Sequence, residues 1–176
     1  MARQPDPLTM DFLLLGIIDR QPTHAYDLYK QVTSSEELKT LWTFRQSRLY
    51  AVLDKIEKNG LISTYIDPES SLPVRKICTL TSAGKIVFEN WLHSPVEHMN
   101  EIRSDFLGKL YFLKDRPAEE RNQVLRAQKQ RCQSWLRNIE KKLSEHPYHA
   151  DYLHQVWSFR AAFIRSALQW ISEIEK

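Results

Sequence analysis

The hydrophobic period of this chain switches near Gly60 from about 3.6 residues to about 2 and returns to 3.6 after Leu80, and nothing else in the sequence constrains the fold so tightly. Before the switch, Leu49, Val52, Leu53 and Ile56 fall at i, i+3, i+4 and i+7, one apolar stripe on a helix. Asn59-Gly60 then supplies a left-handed stop. After it, 61–66 and 74–80 are strand-like runs rich in β-branched residues, and 67–73 between them is a polar, Pro-marked loop. A helix, a stop and a hairpin in that order make a helix-plus-wing unit.

The surroundings agree. A first helix is expected from Thr9 as N-cap to Gln21-Pro22, apolar nearly all round through Phe12, Leu13, Leu14, Leu15, Ile17 and Ile18. Thr23 is expected to cap a second helix carrying Ala25, Leu28, Tyr29 and Val32, with 34–37 as its softened end or a polar linker. Thr43 to Gln46 reads as the capping box of the third helix. Thr81 or Ser82 caps a fourth, with Ala83, Ile86, Val87 and Trp91 on its apolar side. Three helices, a hairpin and a helix are the ground plan of a winged helix-turn-helix.

Pro95 marks a change of domain. Beyond it come a helix ending near Leu113 (apolar at Ile102, Phe106, Leu110 and Tyr111), one from Pro117 to about Glu145, and one from about Ala150 to Glu175, broken by His146-Pro147. Leu125, Cys132 and Ile139 repeat at seven, as do Trp157, Ile164 and Ile171, which suits antiparallel coiled-coil-like packing. The expected fold is mainly α, in the α+β class. Residues 1–95 form a winged helix-turn-helix DNA-binding domain and 96–176 an antiparallel helical dimerisation domain, its interface at Trp135, Ile139, Trp157, Ile164, Leu168 and Ile171.

Bulk charge does not argue for nucleic acid. Residues 1–95 hold eleven basic and eleven acidic side chains, and the net +3 lies in the remainder. Charge is concentrated locally, however: Lys39, Arg45, Arg48, Lys55 and Lys58 stand against Asp54 and Glu57. Arg45, Gln46, Ser47 and Arg48 start the third helix, where Arg can read guanine and Gln adenine. Tyr50, on the same helix, packs half-buried on the second helix or is left open at the surface. Arg75 and Lys76 occupy alternating strand positions, so one faces the duplex. Thr23 and Tyr26 lie within reach of the backbone.

With these pieces placed, the chain resembles the PadR family of bacterial transcriptional regulators. The resemblance rests on Leu14-Leu15-Gly16, His24-Ala25-Tyr26-Asp27-Leu28, Trp42, Leu49-Tyr50, Glu57-Lys58-Asn59-Gly60-Leu61-Ile62, Arg75-Lys76 and Leu80 to Gly84. It covers 9–93, and the later helices look like the larger C-terminal domain of that family's virulence-activator-like branch. Ala25 replaces the usual Gly, Ala51 a common Pro and Cys78 a frequent aromatic residue. The resemblance implies a dimeric repressor bound to a palindrome of double-stranded DNA, with the Tyr50 hydroxyl donated to a phosphate.

Other classes find little support. No phosphate loop, nucleophile elbow or acid/base set can be assembled, so neither an enzyme nor a cofactor is expected. His93/His98 and His149/His154 are spaced i, i+5, about 140° apart on a helix, and make no zinc clamp. Cys78 and Cys132 read as core residues of a reducing cytosol. Without a signal peptide or an apolar run of ~18 residues the chain reads as cytoplasmic, with no membrane partner. Trp135, Trp157 and Trp170 are assigned to core or dimer interface; a subset, with Trp91, lining a pocket for a small aromatic effector is the alternative. The rival function is a winged-helix protein-interaction adaptor that binds no DNA.

Overall fold

The computed structural model describes residues 7–42, 45–67, 76–146 and 151–175. Among these, α1 runs Pro7–Arg20, β1 Thr23–His24, α2 Ala25–Ser34, α3 Glu36–Leu41, α4 Gln46–Lys58, β2 Ile62–Ile66, β3 Lys76–Leu80 and α5 Ser82–His93. A 3-10 turn over Met99–Arg103 precedes α6 (Asp105–Leu113), α7 (Ala118–Glu145) and α8 (Tyr152–Ile174). The helix expected third in the chain is therefore α4. No helix among the described residues is long and apolar enough to cross a membrane.

The chain divides into two compact units, one of residues 1–93 with 103–112, the other of 94–102 with 113–176. In the first, the apolar α1 is wrapped as its composition demands: Leu13, Leu14, Leu15, Ile17 and Ile18 are all buried. The helix opens at Pro7, whose fixed φ suits a first turn, so Thr9 lies inside it and does not cap it. Packed in the same unit, α6 turns Phe112 edge-on to Phe88 at 5.2 Å. Arg20 donates to the Tyr111 hydroxyl at 3.1 Å. The Trp42 ring lies against α6 at Gly108. A single cut at Pro95 does not describe this arrangement, because the chain leaves the first unit at Ser94 and returns to it with α6.

The sheet has three strands in the order β1-β3-β2, all antiparallel, with Thr23 opposite Cys78, and Ile62 opposite Leu80. β1 was not anticipated, and it moves the start of α2: the N-cap is His24, with no side-chain capping bond, and Thr23 is a buried strand residue. The polar stretch after α2 is a helix of its own, α3, capped by the Ser35 hydroxyl accepting from Leu38 N–H. On α5 the buried face is Gly84, Phe88 and Leu92. The expected stripe was rotated from it, and Ile86 stands 62% exposed. Gly84 explains the rotation: a Cβ there would stand 1.9 Å from the Leu61 carbonyl oxygen, so only glycine lets α5 approach the start of β2 this closely. Thr81 accepts from Gly84 N–H and caps α5 as expected.

In the second unit α7 and α8 pair antiparallel: Arg121 near the start of α7 donates to the Ile174 carbonyl, and Arg165 reaches Glu140 at 2.8 Å. Both heptad stripes are used here, burying Cys132 and Ile139 against Ile164 and Ile171. The fully buried Gln128 accepts from Val96 N–H at 2.8 Å, which fastens 94–102 onto α7.

Candidate nucleic-acid interface

The local rules that make α4 also aim it. Leu49, Val52, Leu53 and Ile56 are buried, so the helix is held along one side, and the remaining positions of its first turns are turned outward. At its far end Gly60, with φ of +70°, closes a Schellman stop: Leu61 N–H donates to the Ile56 carbonyl and Gly60 N–H to that of Glu57. At its near end the expected capping box rests on Thr43 and cannot be followed among the described residues. The N-cap is Arg45, extended and without a side-chain cap, two residues beyond Thr43, which lies outside the described residues. Arg45, Gln46 and Ser47 are exposed at the first turn, where the Arg45 side chain makes no capping bond, an arrangement open to phosphate oxygens. Arg48 is half-buried.

Lys55 proves to have another role. Its ammonium lies 2.6 Å from the Asp11 carboxylate and ties α4 to α1. Burial pushes the Asp11 carboxyl above its usual range, with the Lys55 hydrogen bond and charge opposing that rise. The other Asp11 oxygen, Oδ1, is buried without a hydrogen-bond partner among the described residues.

Three candidate residues from separate elements meet in one cleft of about 480 Å³: Tyr26 from the start of α2, Tyr50 from α4 and Lys76 from the start of β3. Tyr26 is 63% exposed and Tyr50 37%, so the first ring stands open and the second is partly covered. Thr23 does not join them. Its side chain is enclosed by its pairing with β3, which removes it from the list of surface contacts. Arg75 lies outside the described residues. The same cleft is lined by Asp27, Asp54 and Glu57. Glu57 accepts from the Thr64 hydroxyl at 2.6 Å, and burial together with its charge raises the buried Cys78 thiol.

His24, a motif residue given no role from sequence, sits at the inner edge of this cleft. Its Nδ1 is 3.3 Å from the Lys76 carbonyl and its Nε2 3.3 Å from the Asp67 carboxylate. Its place directly before Ala25-Tyr26 was the available signal; the partner across the sheet was not visible.

The expected dimer set divides. Ile139 on α7 and Ile164 and Ile171 on α8 are buried within one chain and leave almost no surface for a second copy, a correction to their assignment, because a heptad stripe packs against whichever element lies nearest. Trp135, Trp157 and Leu168 stay half-exposed, and Trp157 carries the Lys142 ammonium 4.4 Å from its ring centre. Tyr152 and Phe159 on α8 are exposed by 74% and 73%. Trp91 is stacked on Phe12 at 4.9 Å inside the first unit, and none of the tryptophans considered for an effector lines the cleft.

Residues 14–90 match the model of the transcriptional regulator PadR-like family. The Negative transcriptional regulator PadR of Bacillus subtilis (strain 168) is 25% identical over 133 residues, 74% of this chain and 71% of that protein. The crystal structure of Bacillus subtilis PadR in complex with operator DNA is 20% identical with a TM-score of 0.45, covering 94% of this chain and 97% of that one. A PadR family transcription regulator from Clostridium difficile is 29% identical with a TM-score of 0.39, covering 46% of this chain and 80% of that one. With α4, β2 and β3 in place and the Leu80-to-Gly84 motif matched, residues 14–90 of the chain are a PadR-like transcriptional-regulator domain.

Proposed function

We propose that the protein is a homodimeric repressor that binds a palindromic operator, each protomer laying the N-terminal end of α4 in a major groove. The observation that carries the reading is the division of α4: four aliphatic residues anchor it, and Arg45, Gln46 and Ser47 are exposed at its N-terminal end. Tyr26 and Tyr50 offer phenolic hydroxyls, and Lys76 an ammonium, to flanking phosphates. The curated relative's name, a negative regulator, supports repression over activation. Exposed Tyr152 and Phe159, seven residues apart and so on one face of α8, give that helix an aromatic surface suited to a second copy. Two-fold pairing then calls for half-sites about one helical turn apart, ~34 Å.

Selection of bound sequences from a random duplex pool tests this directly. A symmetric consensus, bound with an affinity that falls steeply as salt rises, is the expected result. Recovery of no preferred sequence, with binding insensitive to salt, would favour a protein-interaction adaptor.

A further inference from the structure

His24 occupies an unusual electrostatic position. One ring nitrogen faces a backbone carbonyl and the other a carboxylate, each at 3.3 Å, and both are acceptors. Neutral imidazole has only one N–H, so it can serve only one of them, and its second lone pair then confronts the other acceptor. The imidazolium, with two N–H groups, satisfies both. The His24 and Asp67 side chains are mostly enclosed, at 21% and 18% exposure, so water screens the pair only in part. The same cleft is lined by other titratable groups. Asp27 and Tyr26 come from α2, Tyr50, Asp54 and Glu57 from α4, and Lys76 and Cys78 from β3. Counting Asp67, that is four carboxylates to one ammonium among the described residues.

The partners are also informative by position. Asp67 directly follows β2 and Lys76 opens β3, so they are the two roots of the hairpin, and Ile66 is paired with Lys76. His24 belongs to β1 and immediately precedes α2. Its ring therefore joins the start of the helix carrying Tyr26 to both hairpin roots at once. Histidine is the side chain whose charge changes between about pH 5 and 8.

We propose that His24 is a positioning residue of the DNA interface, a proton-dependent clamp that fastens both roots of the hairpin to the start of α2. The sign follows from the contacts. Below the imidazolium's titration both contacts are made; as pH rises through it the ring keeps a single N–H, so one root keeps its bond while the other contact turns from attraction to repulsion between lone pairs. Loosening the roots frees Lys76 from its place beside Tyr26 and Tyr50. The clamp itself is a property of the fold; its effect on DNA rests on the function proposed above.

The test combines two readouts on the full chain. Nuclear magnetic resonance between pH 5.5 and 8 follows the His24 ring and the backbone amides of Asp67 and Lys76, and a duplex recovered from a random pool reports affinity at fixed ionic strength. The expected result is that both amides titrate with the ring, and that wild-type affinity falls roughly fivefold from pH 6 to pH 8, the low end of coupling between linked equilibria. His24→Gln should bind at the weaker level throughout, and Asp67→Asn, which changes a partly exposed hairpin root and spares the strand pairing, should lose the same pH slope. A wild-type slope retained in both variants, or amides that ignore the ring, overturns the clamp. If the amides titrate with the ring while no duplex binds at any pH, the clamp stands and the DNA reading fails.

Discussion

Lys55 and Asp11 are joined at 2.6 Å, so a cation on the helix that presents Arg45 and Gln46 is spent on the helix behind it. The pair fixes the rotation of α4 about its own axis more firmly than an apolar stripe alone, because it adds a directional bond on one flank.

Replacing Lys55 with Met should leave the enclosed carboxylate without its cation and destabilise the protein by about 1–3 kcal/mol. The loss falls below that of a fully buried pair because Lys55 itself is 44% exposed. The double variant Asp11→Asn/Lys55→Met should recover most of it in thermal melts. Asp11→Asn alone carries a pH signature. The folded-state pKa of Asp11 lies above its unfolded value, so its contribution is fully present below the unfolded pKa and lost as pH rises through the folded one. The melting temperature of Asp11→Asn relative to wild type should therefore move in the variant's favour between pH 4 and pH 7. A difference that moves the other way would show that the Lys55 charge dominates burial.

Gly84→Ala should cost on the order of 3 kcal/mol, since the added methyl meets backbone and not a yielding side chain. Chemical denaturation with an unchanged slope and a lower midpoint is the expected record.

Arg45→Ala and Gln46→Ala should each weaken duplex binding by roughly five- to a hundredfold where the residue reads a base, the range of one bidentate contact. Melting temperatures should stay within about 1 °C, because neither side chain is buried and Arg45 makes no capping bond. If Arg45 touches phosphate only, its removal should lower the salt slope by about one and leave the consensus unchanged.

Phe159→Glu should shift the chain towards monomer in light scattering and leave the helical circular dichroism intact, as this ring is exposed within the chain. A dimer unaffected by the charge would move the interface off this face of α8.

How legible all this was in the sequence depended on whether a pattern had one interpretation. The α4 stripe and its Gly60 stop did, because four aliphatic residues at clean spacing cannot also form a half-buried strand. The α5 face had two. Ile86 and Trp91 lie at helical spacing, yet the stripe of Gly84, Phe88 and Leu92 won through a backbone approach that hydropathy does not encode. β1 is two residues long and has no period to detect, so Thr23 passed for a cap. The heptads of α7 and α8 were correctly apolar, but a repeat does not say whether its partner belongs to the same chain. In the cleft, Tyr26, Tyr50 and Lys76 were named singly, whereas their meeting, and the acidic groups around them, depends on strand pairing fifty residues apart in the chain.

The return of α6 to the first unit has a practical corollary for exchanging reading heads among relatives. A fragment ending at Pro95 would strip Phe112 from Phe88 and Tyr111 from Arg20, wetting an aromatic cluster that the remaining helices have nothing to cover. A transplantable head must therefore bring residues 103–112 along, so its graft needs three splice points, not one.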